Sequence, residues 1–106
     1  MPPAELPPPQ NATAGKHRIY ATDERGWKKL CESRPNDMVR ACAEISNNPF
    51  PKASLPRHHK LHGLTKKLGG EHWEYEVGGG ERIRYKAGPS GEIVVVYAGP
   101  APSDTH

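Results

Sequence analysis

The stretch WEYEVGGGERIRY, residues 73–85, decides the fold. Apolar and charged side chains alternate on both sides of three glycines, which is typical of a β-hairpin with one buried and one exposed face. Strand alternation places Arg82 and Arg84 on one face of this hairpin and Tyr85 on the opposite face, where it packs in the core. The two strands are expected at residues 72–77 and 82–87.

The segment before the hairpin is basic, because no Asp or Glu occurs between Glu44 and Glu71. Three prolines predict an extended loop over residues 49–59, and a second loop over residues 60–64 is expected to aim Lys60 outward. The cationic and titratable side chains of the whole segment are Lys52, Arg57, His58, His59, Lys60, His62, Lys66 and Lys67. The formal net charge of +3 is small, but its concentration here favours binding of a phosphate backbone.

Two helices are predicted before this basic segment. The first begins after the Thr22-Asp23 cap and ends near Ser33, with Trp27, Leu30 and Cys31 on one apolar stripe. The second begins at Pro35 and ends near residue 46, before Asn47-Asn48-Pro49. A tight turn between them makes a helical hairpin that needs a sheet to cover.

Two further strands complete the predicted fold. Residues 16–22 are a short first strand, and the nearly unbroken apolar run of residues 92–97 is typical of a central strand buried on both faces. The predicted class is therefore a two-layer α+β fold in the order β-α-α-β-β-β. Its N-terminal strand and helical hairpin precede a three-stranded antiparallel meander.

The ends of the chain suggest one domain with a tail. Residues 1–15 hold five of the twelve prolines and few groups that can be buried, so a disordered Pro-rich tail and a domain over residues 16–106 are expected. Neither a signal peptide nor an apolar run of membrane-spanning length is recognisable, which favours a cytoplasmic location. Cys31 and Cys42 fall in predicted helices and are expected to be small buried side chains.

Several local motifs resemble the RelE/ParE superfamily of toxins from bacterial toxin–antitoxin modules. The resemblance spans residues 17–99 and includes the predicted element order. Its motifs are Asn48-Pro49, Lys60-Leu61-His62-Gly63, Trp73-x-Tyr75-x-Val77, Arg82-x-x-Tyr85 and the IVVVY strand.

The resemblance implies a small, metal-independent endoribonuclease, an mRNA interferase that cuts mRNA in the ribosomal A site. ParE-like relatives poison DNA gyrase instead, and both kinds are held inactive by a cognate antitoxin that wraps the toxin. Lys60 matches the lysine of the family's loop motif, and Arg82 matches the arginine of its R-x-x-Y strand. These two residues are the leading catalytic candidates.

The chain also departs from the family pattern. Glu74 and Glu76 stand where relatives often carry basic residues, and Gly99-Pro100-Ala101-Pro102 follows the last strand where many place a basic residue. A third hypothesis is therefore a catalytically inactive module that binds RNA or an antitoxin.

Metal-free RNA cleavage needs a base for the 2′-OH proton, cations for the phosphorane and an acid for the leaving 5′-oxygen. His59 and the terminal His106 are the candidate acid and base beside Lys60 and Arg82, since histidine titrates near neutrality. The predicted RNA-binding residues are Lys52, Arg57, His58, Lys66, Lys67 and Arg84. No C-x-x-C pair occurs, and His58-His59-x-x-His62 has no partner pair at ligand spacing, so neither a metal nor another cofactor is expected.

Overall fold

Two helices pack on one face of a mixed β-sheet. The structure is a computed structural model that describes residues 4–5, 17–21, 24–53, 55–61, 71–89 and 91–101. In chain order the elements are β1 (Ala4–Glu5), β2 (Ile19–Ala21), α1 (Glu24–Ser33), α2 (Pro35–Asn47), β3 (His58–Leu61), β4 (His72–Gly78), β5 (Glu81–Ala87) and β6 (Ile93–Pro100). The strands are arranged in the sheet in the order β1-β2-β6-β5-β4-β3. The α+β class is confirmed.

The predicted hairpin is β4 and β5, joined by Gly79 and Gly80. Both glycines have positive φ, 58° and 85°, which is the backbone of the mirror-image two-residue turn that suits the twist of a hairpin. Tyr75 lies opposite Ile83 in the antiparallel register. Both side chains are fully buried together with Tyr85, so the prediction that Tyr85 packs in the core is confirmed.

The helices form where the apolar stripes predict them. Trp27 and Leu30 of α1 are buried in the same core as four residues of α2. Gly26 lets α1 approach the sheet closely, because a Cβ at this position would lie 2.2 Å from the carbonyl oxygen of Ala98 in β6. The buried residues of α2 in this core are Met38, Ala41, Cys42 and Ile45.

The sheet is not a simple meander. Strands β4, β5 and β6 are antiparallel neighbours as expected, but β2 pairs in parallel with β6, Ile19 opposite Ile93. Strand β6 is therefore central, and Ile93, Val94 and Val95 are all buried. A parallel pair needs a crossover, and here the chain between β2 and β6 supplies it.

The prediction of loops over residues 49–59 and 60–64 is wrong at His58–Leu61. These residues form β3, which pairs antiparallel with β4. The sequence HHKL has little strand propensity, but strand preference depends on the neighbouring strand and on burial. Pairing with β4 and burial of His58 outweigh the local sequence, and the remainder of the second predicted loop lies outside the described residues.

The predicted tail is described at two residues only. Ala4–Glu5 forms β1, which pairs antiparallel with β2 at the sheet edge. The other residues of the 1–15 segment lie outside the described part. None of the helices in the described ranges is long and apolar enough to cross a membrane.

Candidate functional site

Charged side chains gather on the sheet face that points away from the helices. Directly opposed residues of neighbouring strands share a face, and the register places Glu74 between His59 and Arg84, with Glu76 opposite Arg82. The intervening residues Trp73 and Tyr75, among others, fill the helix-covered core. The alternation of β4 and β5 therefore separates a polar face from an apolar one.

The Glu74 carboxylate is the centre of this face. Its Oε2 lies 2.9 Å from Nε of Arg84, while its Oε1 lies 3.5 Å from Nε of Arg82 and 3.5 Å from Nε2 of His59. Glu74 and Arg84 are each only 4% exposed. Burial of a charge is costly unless it is paired, so these two groups stabilise each other. We refer to Glu74, His59, Arg82 and Arg84 as the Glu74 cluster.

Arg82 and His59 form the accessible side of the cluster. Their side chains are 22% and 33% exposed. Arg82 also reaches Glu76 at 3.7 Å and donates to the carbonyl oxygen of Glu81 at 3.2 Å. These are longer contacts than that of Arg84, so the Arg82 guanidinium is the one able to exchange its partner for an incoming anion.

The structure does not bring Lys60 together with Arg82. Lys60 lies opposite Trp73 in the register and therefore shares the face of Trp73, which is not the face of Arg82. Its Nζ is 2.6 Å from Oε1 of Glu71 and 5.9 Å from the centroid of the Trp73 ring. Glu71 is the first acidic residue after Glu44 in the sequence, and it pairs with Lys60, the predicted catalytic lysine.

His58 lies in the core rather than on the surface predicted for it. It is buried and hydrogen-bonded to the hydroxyl of Tyr85, which in turn donates to the carbonyl oxygen of Pro49. Burial lowers the pKa of His58 and raises the pKa of Tyr85. The two hydrogen bonds connect the start of β3 to the segment after α2.

The remaining predicted residues are dispersed. Arg84 is the buried arginine of the Glu74 cluster, whereas Lys52 and Arg57 are exposed on the segment before β3. Arg57 also lines a cleft of about 530 Å³ between that segment and the end of α2. Lys66, Lys67 and His106 lie outside the described residues.

Sequence reasoning missed the role of Glu74, which it treated only as a departure from a family pattern. The signal was present in the sequence. The glutamates of WEYEV alternate with Trp, Tyr and Val and therefore lie on the opposite face of the strand, where pairing with β5 places them beside the arginines. Lys86 was missed in the same way. It continues the alternation of Arg82 and Arg84 and is exposed at the end of β5.

Over the described part of the chain, no three His, Cys, Asp or Glu side chains gather as they would around a metal ion. Comparisons with protein-family models, with curated proteins and with solved structures return no match. Function therefore has to be inferred from the Glu74 cluster and its neighbours.

Proposed function

We propose that the chain is a RelE-like toxin of a type II toxin–antitoxin module, a cytoplasmic endoribonuclease that cuts mRNA in the ribosomal A site. One observation carries the proposal: Arg82, Arg84 and His59 converge on the single carboxylate of Glu74. Groups that collect around one oxyanion also suit the oxyanions of a phosphodiester.

Phosphate binding at this face is supported by the type and position of the cations. A guanidinium offers two parallel N–H donors that match phosphate oxygens. Arg82 is partly exposed and makes only the longer contacts with Glu74 and Glu76. Lys86, exposed on the same strand and face, adds positive charge along the path of the backbone.

The proposed chemistry is metal-free cleavage of a phosphodiester by the neighbouring 2′-OH. His59 takes the proton of the 2′-OH, the 2′-oxygen forms a bond to phosphorus, and the bond from phosphorus to the 5′-oxygen breaks. Arg82 stabilises the phosphorane charge, and the leaving 5′-oxygen receives a proton from an acid, for which His106 remains the prediction. The products are a 2′,3′-cyclic phosphate and a 5′-hydroxyl.

Glu74 positions the reacting groups and does not react itself. Its carboxylate lies 3.5 Å from Nε2 of His59, on the side from which a carboxylate orients the imidazole in other catalytic sites. Lys60 is paired with Glu71 and shares the face of Trp73, so its contribution is to the general charge of the protein. The family resemblance further implies a cognate antitoxin as partner.

The test is induction of the full chain in a bacterial host, with growth and primer extension on a reporter mRNA as readouts. Wild type is expected to arrest growth with cuts in codon register. Arg82→Gln removes a transition-state contact, for which a loss of about 100-fold or more in cleavage is expected. Lys28→Gln is the matched control, because Lys28 is exposed on α1 and pairs with Glu24.

A second candidate function has its own support. Glu74 and Glu76 both pair with Arg82, which favours a module that binds RNA or an antitoxin without cleavage. Folded wild-type protein that neither arrests growth nor cuts RNA would support that function and contradict the first. Growth arrest with intact mRNA and damaged DNA would instead indicate a gyrase poison.

A further inference from the structure

An aromatic side chain lies beside the Glu74 cluster on the same face. Tyr97 of β6 is directly opposite Arg84 of β5, and Gly99 is directly opposite Arg82. Opposed residues share a face, so Tyr97 is on the side of the arginines and not in the helix-covered core. Its side chain is partly exposed.

The ring of Tyr97 lies along its own strand. Its hydroxyl donates a hydrogen bond to the carbonyl oxygen of Pro100, three residues further on. A Cβ at Gly99 would lie 3.3 Å from the Tyr97 Oη and 3.6 Å from its Cζ. The phenol ring therefore extends over Gly99, where a side chain would crowd it.

The backbone conformation at position 99 also favours glycine. Its φ is +154°, a conformation that other residues rarely adopt. Gly99 thus accommodates both the backbone of β6 and the ring that lies over it. With the hydroxyl end tied to Pro100 and the Cβ end fixed in the strand, the ring is held at both ends next to the position of Arg82.

We propose that Tyr97, lying over Gly99, is a stacking platform for one nucleobase of a single-stranded RNA whose phosphate contacts Arg82. The inference rests on the proposed function and adds a base subsite to it. Every nucleobase has a flat π-face, so a platform of this kind binds without strong sequence preference. Neighbouring strands are about 4.8 Å apart, which places the ring and the guanidinium within reach of one nucleotide.

The experiment uses two non-cleavable 2′-O-methyl hexamers with the same backbone, one carrying adenine at every position and one abasic throughout. Dissociation constants are measured for wild type, Tyr97→Leu and Tyr97→Phe. Because stacking on an aromatic side chain is typically worth about a 5- to 100-fold change in affinity per base, Tyr97→Leu should weaken binding of the adenine hexamer by that factor. It should leave the abasic hexamer within about twofold of wild type.

Tyr97→Phe retains the ring and should bind the adenine hexamer nearly as wild type does. Thermal unfolding of each variant checks that it is folded. If Tyr97→Leu does not fold, quenching of 2-aminopurine in a hexamer bound to wild type replaces it, and unquenched fluorescence in the complex overturns the platform.

Different results would contradict the stacking platform and the RNA face. Equal affinity of wild type and Tyr97→Leu for the adenine hexamer, with Arg82→Gln weakened, overturns the stacking platform and leaves the RNA face intact. Absence of binding to either hexamer by wild type overturns the RNA face itself and the platform with it.

Discussion

Glu74 is a buried negative charge whose partners come from two neighbouring strands. Its substitution removes the carboxylate and leaves Arg84 buried without it. We expect Glu74→Ala to lower the free energy of unfolding by about 3–5 kcal/mol, the usual cost of breaking a buried ion pair. Urea unfolding monitored by tryptophan fluorescence measures the loss.

The matched control for this substitution is Glu76→Ala. Glu76 is 40% exposed and approaches Arg82 only to 3.7 Å, so its removal should cost less than about 1 kcal/mol. Equal losses in the free energy of unfolding for the two variants would show that the burial of Glu74 does not determine its contribution to stability.

His58 gives the protein a pH-dependent stability. Burial lowers its pKa from 6.5, with Glu44 opposing the shift and His59 adding to it. The neutral form is therefore favoured in the folded state, and below pH 6.5 the unfolded chain binds the proton more readily. Stability should fall as the pH decreases through 6.5 towards the folded-state pKa.

The measurement is the urea midpoint at pH 7.5 and at pH 5.5 for wild type and His58→Gln. The decrease between the two pH values should be larger for wild type, because glutamine does not titrate. A decrease of the same size in both proteins would assign the pH dependence to groups other than His58.

At the scale of elements, the contact of α1 with β6 depends on Gly26. Helix propensity alone predicts that Gly26→Ala stabilises the protein by about 1 kcal/mol. However, the new Cβ would lie 2.2 Å from a backbone oxygen of Ala98, and overpacking of this kind costs about 1–3 kcal/mol. We expect a net decrease in melting temperature, since a backbone atom in the sheet moves little.

Glu32→Ala serves as the control for this prediction, because Glu32 is exposed on the same helix and its substitution should change the melting temperature only slightly. A higher melting temperature for Gly26→Ala would mean that α1 can shift away from β6 at little cost.

The elements that the sequence predicts well are those determined by neighbours along the chain. The stripe of Trp27 and Leu30, the turn at Gly79 and Gly80, and the alternation of residues 73–85 all act within a few residues. Strand β3 is different, because nothing in HHKL itself favours a strand. Its formation depends on an available edge of β4, which only the folded sheet provides.

The candidate site was predictable in part for the same reason. Alternation alone places Arg82 and Arg84 on one face, and the structure agrees. Once β3 is a strand, His59 and Lys60 must point to opposite faces, so only one of them can join the arginines. The register with β4 selects His59, and registers between distant segments are not written in local sequence patterns.

At the scale of the whole molecule, the proposed RNA face predicts a dependence on salt. Each phosphate neutralised on a single strand contributes a slope of about −0.7 to a plot of log affinity against log salt concentration. For a non-cleavable single-stranded RNA, Arg82→Gln should weaken binding at low salt and reduce the magnitude of this slope by about 0.7. Fluorescence anisotropy over a salt series measures both quantities.

Lys28→Gln is again the control and should leave the slope unchanged, because Lys28 lies on α1, on the helical side of the sheet. If Lys28→Gln and Arg82→Gln reduce the slope equally, RNA binding depends on the overall charge of the protein and not on the Glu74 cluster.

The parallel pairing of β2 with β6 has a consequence for biosynthesis. Ile19 and Ala21 come first in chain order among the described core residues. They cannot pair with Ile93 and Val95 until those residues, more than 70 positions later, have been synthesised. Contacts between segments so distant in sequence form late and slow the folding reaction. A nascent chain that stops before residue 93 lacks the central strand, so the sheet described above cannot be completed until β6 has been synthesised.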